Sequence, residues 1–145
     1  MDSPLKSKRL LNTRVLVVDD SKDICFLWRR ILEKHGAEVQ SAESADQAVK
    51  TLQQYAPDVI VSDLTMPGVD GFGFIERIRG LKLRGHSGQD VPVLAVSGHD
   101  DPGLRERTLG AGFSGYVLKP VTATELVERV AGLIEPGSGA ASAPH

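Results

Sequence analysis

Short apolar runs, each followed by a stretch of helical periodicity, restrict this chain to very few architectures. The runs cover residues 14–18, 37–41, 58–62, 92–96 and 115–118. Three of them are apolar without alternation, which is the pattern of strands covered on both faces rather than on one. Between the first two, Ile24, Leu27, Trp28, Ile31 and Leu32 fall at i, i+3, i+4, i+7 and i+8, forming one apolar helix stripe with Trp28 in the core. Ala45, Ala48, Val49, Leu52 and Tyr55 repeat the spacing, and so do Leu126, Val130, Leu133 and Ile134.

Helix ends carry their own signals, because the first N–H groups and last carbonyls of a helix lack internal partners. Ser44-x-x-Gln47 and Thr122-x-x-Glu125 are capping boxes. Asp101 before Pro102 is an N-cap with proline at the first helical position, and Gly36 and Gly112 sit where left-handed C-caps belong. Five strands thus alternate with five helices. Such alternation predicts an α/β fold, with a parallel sheet, right-handed crossovers and helices on both faces. At 145 residues, 41% hydrophobic and 25% charged, the chain fits one domain with a full core.

Some segments fall outside this plan. Residues 1–13 precede the first strand as an extension. Gly80 to Asp90 exceeds a usual connection and is expected to be a mobile loop. Residues 135–145, rich in Pro, Gly, Ser and Ala, are expected to form a flexible tail. Arg77, Arg79, Lys82, Arg84 and His86 form a basic cluster best read as a solvated loop, since no interleaved aromatics or recognition helix accompany it. The four histidines, His35, His86, His99 and His145, share no ligand spacing. Seventeen Lys and Arg against nineteen Asp and Glu give a net charge of −2, no field for gripping DNA or an anionic membrane. The apolar runs are far below the roughly 18 residues that span a bilayer. Lys6, Lys8 and Arg9 are followed by no apolar signal core, and the single cysteine, Cys25, can form neither an internal disulfide nor a zinc site alone. A cytoplasmic protein is expected.

In an open parallel sheet, sites lie beyond the carboxyl ends of the strands. The first strand runs into Asp19-Asp20, the third into Asp63, the fourth into Ser97 and the fifth into Lys119-Pro120. Two unit charges about 4 Å apart repel by about 4 kcal/mol at an effective dielectric of roughly 20. Three gathered carboxylates therefore require a raised pKa or a cation. Mg²⁺ is the natural cation, since it prefers oxygen ligands, keeps waters and leaves positions for phosphoryl oxygens. With the metal and Lys119 present, the formal charge of the cluster comes to about zero. Asp63 then becomes a candidate nucleophile toward phosphorus, Ser97 a hydrogen-bond donor to a phosphoryl oxygen, and Pro120 a residue that fixes the backbone after the lysine, through a cis bond.

These residues resemble the receiver domain of two-component response regulators, the family that includes the chemotaxis response regulator. The motifs are Val17-Val-Asp-Asp20, Ser62-Asp-Leu-Thr-Met-Pro-Gly68 with Asp70-Gly71, Val96-Ser-Gly98 and Gly115-Tyr-Val-Leu-Lys-Pro120, all in order at strand ends. The resemblance implies a receiver over residues 14–134, with a doubly wound, flavodoxin-like (βα)5 fold of strand order 2-1-3-4-5. It implies Asp63 as phosphoacceptor, and Mg²⁺ held by Asp20, Asp63 and the carbonyl of Thr65, with Asp19 holding metal-bound water. Ser97 and Lys119 would contact the phosphoryl group. Ser97 and Tyr116 would form the switch, acting on a face made of the fourth helix, fifth strand and fifth helix, where a downstream protein docks. The implied donor is a histidine kinase or a histidine phosphotransfer protein; no direct nucleic-acid or membrane contact is implied, and a weak homodimer is compatible. Thr65 and His99 occupy positions that tune loss of the phosphoryl group in this family. The Gly80 to Asp90 loop is longer than common there.

Singly, each residue has a plainer explanation: Asp19-Asp20 as an acidic pair at a helix start, Asp63 as a turn cap, Ser97 and Lys119 as ordinary strand-end residues, Tyr116 as a half-buried aromatic. Joint placement decides for the site. Two rival functions compete with it. Asp63-Leu-Thr65 is similar to part of the Asp-x-Asp-x-Thr motif of haloacid dehalogenase-type phosphatases, but the second aspartate is absent. A flavodoxin-like cofactor binder needs a phosphate loop free of anions, whereas Asp19, Asp20 and Asp23 crowd this first turn. Residues alone do not separate a stand-alone regulator from the receiver module of a hybrid sensor histidine kinase, although the tail favours a fragment or terminal module.

Overall fold

The computed structural model describes residues 9–64, 71–85, 88, 90–98 and 102–134. Strand β1 (Arg14–Val18) lies in parallel between β2 (Glu38–Ala42) and β3 (Val59–Asp63); β4 (Val93–Ser97) follows β3, and β5 (Gly115–Leu118) follows β4. The five-stranded order is β2-β1-β3-β4-β5, as expected. The crossovers are α1 (Lys22–Lys34), α2 (Ala45–Leu52), α3 (Gly71–Leu81) and α4 (Pro102–Gly110), and α5 (Ala123–Ile134) follows the last strand.

Alternate side chains of each strand enter two separate cores. Val15, Val17, Val59, Val61, Val96 and Val117 pack with Trp28, Leu32, Leu126 and Val130 of α1 and α5. Leu16, Val18, Ile60, Ala95 and Tyr116 pack on the other face with Ala48 of α2 and Phe74 and Ile75 of α3. Burying each Val, Leu, Ile or Phe contributes about 1.5–3 kcal/mol, which is why the runs show no polar alternation.

Three strands start and end one residue later than their apolar runs. Ala37 donates to Leu32 O and so closes α1, leaving Glu38 to open β2 by donating to Thr13 O. Asp58 precedes the β3 ladder because it is held by Arg14, donating to Arg14 O while its Oδ2 accepts from Arg14 N at 2.9 Å. Pro92 has no N–H to offer, and its carbonyl accepts from Ile60 before β4 begins. Asp63 and Ser97 are consequently the last residues of their strands.

The α1 stripe is rotated from the expected one. Cys25, Trp28 and Leu32 are buried, Ile24 and Ile31 flank them, and Leu27 is 50% exposed. Cys25, a small apolar side chain, takes the place assigned to Leu27 because the sheet covers that side of the helix. Both N-caps form: Ser44 Oγ accepts from Gln47 N at 3.1 Å, with Gln47 Oε1 accepting from Glu43 N one residue before the cap, and Thr122 Oγ1 accepts from Glu125 N at 3.0 Å. Gly36 (φ 99°) and Gly112 (φ 116°) adopt the left-handed conformation after α1 and α4. At Gly36 a Cβ would also stand 3.2 Å from the Leu11 Cα.

The described residues between Gly80 and Asp90 are more structured than a plain loop. Gly80 and Leu81 continue α3, Lys82 ends it with φ 50°, and Arg84 and Asp90 form an antiparallel bridge and an ion pair. The basic cluster is not simply solvated either: Arg77 pairs with Asp46 at 2.8 Å and Arg79 donates to Gly112 O. His86 lies outside the described residues, as do Thr65 to Asp70, His99, Asp101 and the tail. At the other end, Leu10 is fully buried and donates to His35 O at 2.8 Å, and Arg9 pairs with Glu128 of α5 at 2.5 Å.

Candidate functional site

Parallel pairing brings the carboxyl ends of β1, β3, β4 and β5 to one edge, and the polar residues found there meet. Asp19 leaves β1 with its N–H still donating to Ala42 O, then bends so that Oδ1 accepts from Ser21 N at 2.9 Å. That turn delivers Ser21 to the α1 N-cap, where its Oγ accepts from Ile24 N at 3.2 Å. Asp63 closes β3 opposite Val96, and Ser97 closes β4 while its carbonyl accepts from Lys119 N at 2.7 Å. The Lys119–Pro120 bond is cis, as expected.

One carboxylate oxygen from each of Asp19, Asp20 and Asp63 lies within 4.8 Å of the others. Asp19 and Asp63 are buried and Asp20 is exposed, so the cluster opens toward solvent on one side only. Lys119 Nζ stands 3.5 Å from Asp19 Oδ2 and 3.5 Å from Asp63 Oδ1. Burial pushes the Asp19 carboxyl above its usual range; the Ser21 N–H and the Lys119 ammonium oppose this, and the Asp63 and Asp20 carboxylates add to it. Asp19 Oδ2 is buried without a hydrogen-bond partner. A buried carboxylate oxygen with no hydrogen bond beyond its 3.5 Å ion pair, set among hard oxygen donors, fits a hard divalent cation such as Mg²⁺ and its bound water, which would offset the crowding. Thr65, the fourth expected ligand, lies outside the described residues.

Ser97 is buried at the edge, and the β4–β5 register sets Ala95 beside Tyr116, so Ser97 and Tyr116 occupy the same side of the sheet. Tyr116 is 5% exposed in the second core, with the Arg105 guanidinium carbon 5.8 Å from its ring centre. The sheet edge thus brings Asp19, Asp20, Asp63 and Lys119 into one cluster, with Ser97 ending the neighbouring strand.

Supporting residues were missed. Ser21 was legible as serine just before an amphipathic run, the ordinary N-cap signal. The Cys25 thiol donates to Asp19 O at 3.2 Å, and burial, with the Asp19 carboxylate second, raises its pKa to about 11. Nothing local in the sequence announces that bond, which needs the turn from β1 into α1 to bring the two together. Ser62, fully buried, donates to Asp63 O at 3.1 Å and steadies the end of β3.

Comparison with known proteins agrees with this geometry. The family model of the response regulator receiver domain matches residues 15–131. The chain is 36% identical over 121 residues to the transcriptional regulatory protein PrrA of Mycobacterium tuberculosis, covering 83% of this chain and 49% of that one. It is 34% identical over 142 residues to the signal transduction histidine-protein kinase BarA of Escherichia coli, covering 96% of this chain and 15% of the kinase. The chain therefore spans about half the length of the first relative and a small part of the second. Among solved structures, the Francisella response regulator 1452 receiver domain superposes with a TM-score of 0.76 at 29% identity, covering 85% of this chain and 97% of that one.

Proposed function

The chain belongs to the response regulator receiver domain family, and on that premise we propose that it is the phosphoacceptor of a two-component phosphorelay, with Asp63 as the acceptor. The donor is the phosphohistidine of a histidine kinase or a histidine phosphotransfer protein. The observation that carries this reading is the single Lys119 ammonium set 3.5 Å from both Asp19 and Asp63 at the carboxyl edge of the sheet.

In the proposed transfer, a carboxylate oxygen of Asp63 attacks phosphorus as the P–N bond to the donor imidazole breaks, the leaving nitrogen keeping the electron pair. Asp20, Asp63 and the Thr65 carbonyl would hold Mg²⁺, with Asp19 holding metal-bound water, and the ion would supply charge neutralisation for the transferring oxygens. Lys119 donates to one phosphoryl oxygen and Ser97 to another; such charge-assisted bonds are about twice as strong as neutral ones. Drawing Ser97 toward the phosphoryl group changes the packing beside Tyr116. That biases the face of α4, β5 and α5, where a downstream protein docks. A population reversal from 1:99 to 99:1 takes about 5.5 kcal/mol of differential stabilisation.

The division into a receiver of residues 14–134, an extension of residues 1–13 and a tail of residues 135–145 belongs to the same reading. So do a cytoplasmic location, a weak homodimer, and chemistry limited to its own phosphoryl transfer and slow hydrolysis. No helix among the described residues is long and apolar enough to cross a membrane. The family match disfavours the haloacid dehalogenase-type alternative.

Incubation with acetyl phosphate and Mg²⁺, followed by intact mass spectrometry, tests the acceptor. The expected result is a gain of about 80 Da, one phosphoryl group, in the wild type and in Ser97→Ala, and none in Asp63→Asn. Full labelling of Asp63→Asn overturns the assignment.

A further inference from the structure

Helix α4 is seated unlike the others. Three residues of α1, three of α2 and four of α5 are buried, whereas in α4 only Thr108 is, and its hydroxyl donates back to Leu104 O. Leu104 is half-buried and Leu109 is 44% exposed. A helix with so little buried apolar surface draws little stability from packing, so its position depends on whatever else it touches.

Leu104 packs on the second core, and two arginines of the helix reach aromatic rings. Arg107 places its guanidinium carbon 4.8 Å from the ring centre of Phe72 in α3, and that ring meets Phe113 edge-on, with centroids 6.4 Å apart at 88°. Arg105 reaches the other way, to Tyr116 in β5. The two arginines are two residues apart and so lie on opposite sides of the helix, clasping it between α3 and β5. Tyr116 is buried in the second core with the exposed Arg105 guanidinium over its ring, so a ring that swings out, or a helix α4 that shifts, gives up that contact. We infer that Arg105 is a positioning residue that holds Tyr116 in its buried rotamer and locks the seat of α4 to that rotamer, setting the resting bias of the α4–β5 face. The functional consequence rests on the reading of Tyr116 as the switch aromatic; the mechanical coupling does not.

The chain has two tyrosines, so incorporation of 3-fluorotyrosine gives two ¹⁹F resonances, which Tyr55→Phe assigns. In the unphosphorylated protein, Arg105→Ala is expected to raise the outward population of Tyr116 about two- to fivefold, the worth of one partly exposed cation–π contact. It is also expected to speed amide exchange in α4. Arg105→Met keeps the stem without the charge and should behave as Arg105→Ala, Arg105→Lys should recover part of the bias, and Arg107→Ala should leave Tyr116 in place. An unmoved Tyr116 resonance in both Arg105→Ala and Arg105→Met overturns the inference, and so does an equal shift in Arg107→Ala, which would mean a general loosening of α4. Because no phosphoryl group is present, this result is independent of whether Asp63 takes up mass from acetyl phosphate.

Discussion

Lys119 sets one ammonium 3.5 Å from Oδ2 of Asp19 and 3.5 Å from Oδ1 of Asp63, so a single cation serves two buried carboxylates, one just beyond β1 and the other closing β3. The third acid of the cluster, Asp20, faces solvent.

The substitution Lys119→Met therefore leaves a more negative cluster. Mg²⁺ is expected to bind at least as tightly by calorimetry, while the rate of labelling by acetyl phosphate falls about 10²- to 10³-fold, the usual cost of losing one preorganised donor to a developing anion. Equal labelling rates in Lys119→Met and wild type would remove the lysine from the transfer step.

Asp19 makes the metal-free protein pH-sensitive. Its folded-state pKa lies above the ordinary carboxylate value, chiefly through burial. The folded state therefore binds the proton more tightly than the unfolded one, and this group's contribution to stability falls as pH rises from the unfolded to the folded pKa. In chemical denaturation without metal, Asp19→Asn is expected to be more stable than wild type at pH 7, with the difference shrinking on acidification through that window. Saturating Mg²⁺ should reverse the order at pH 7. A difference that grows toward acid would contradict the stated origin of the shift.

Leu10 lies upstream of the matched receiver segment, yet it is fully buried against the α1 and α5 core. Leu10→Ala should lower unfolding free energy by about 2–5 kcal/mol. Arg9→Ala, which breaks only the half-exposed pair with Glu128, should cost less than about 1 kcal/mol. Comparable losses in the two variants would mean that the segment is held by charge instead of packing.

Trp28 is buried one turn beyond Cys25, whose thiol hangs from the Asp19 carbonyl, so metal entering the acidic edge should be felt at the indole. Titration with Mg²⁺ is expected to change Trp28 emission saturably in the wild type and not in Asp19→Asn. Identical titrations of both proteins would place the metal elsewhere.

The strands and the placement of Asp19, Asp20, Asp63, Ser97 and Lys119 were legible because each depends on local pattern, apolar runs buried on both faces with polar residues at their ends, whereas the strand order came only with the family resemblance. Boundaries slipped by one residue at β2, β3 and β4, where Ala37, Asp58 and Pro92 are engaged with distant backbone groups that hydropathy does not register. Cys25 displaced Leu27 from the α1 interface because a periodic stripe gives the face of a helix but not its final rotation against a sheet. The partners of Arg77, Arg79 and Arg84, and the arginine–aromatic contacts of α4, belong to tertiary geometry. Composition shows only that the charges exist.

Cys25 also has a practical consequence for anyone handling the protein. With its hydrogen committed to a carbonyl, its sulfur out of reach of solvent and its pKa raised to about 11, it stays a thiol at neutral pH and is a poor target for maleimides and peroxides. A cysteine introduced on the surface would then be the sole point of attachment for a dye or spin probe, with the native one left in place.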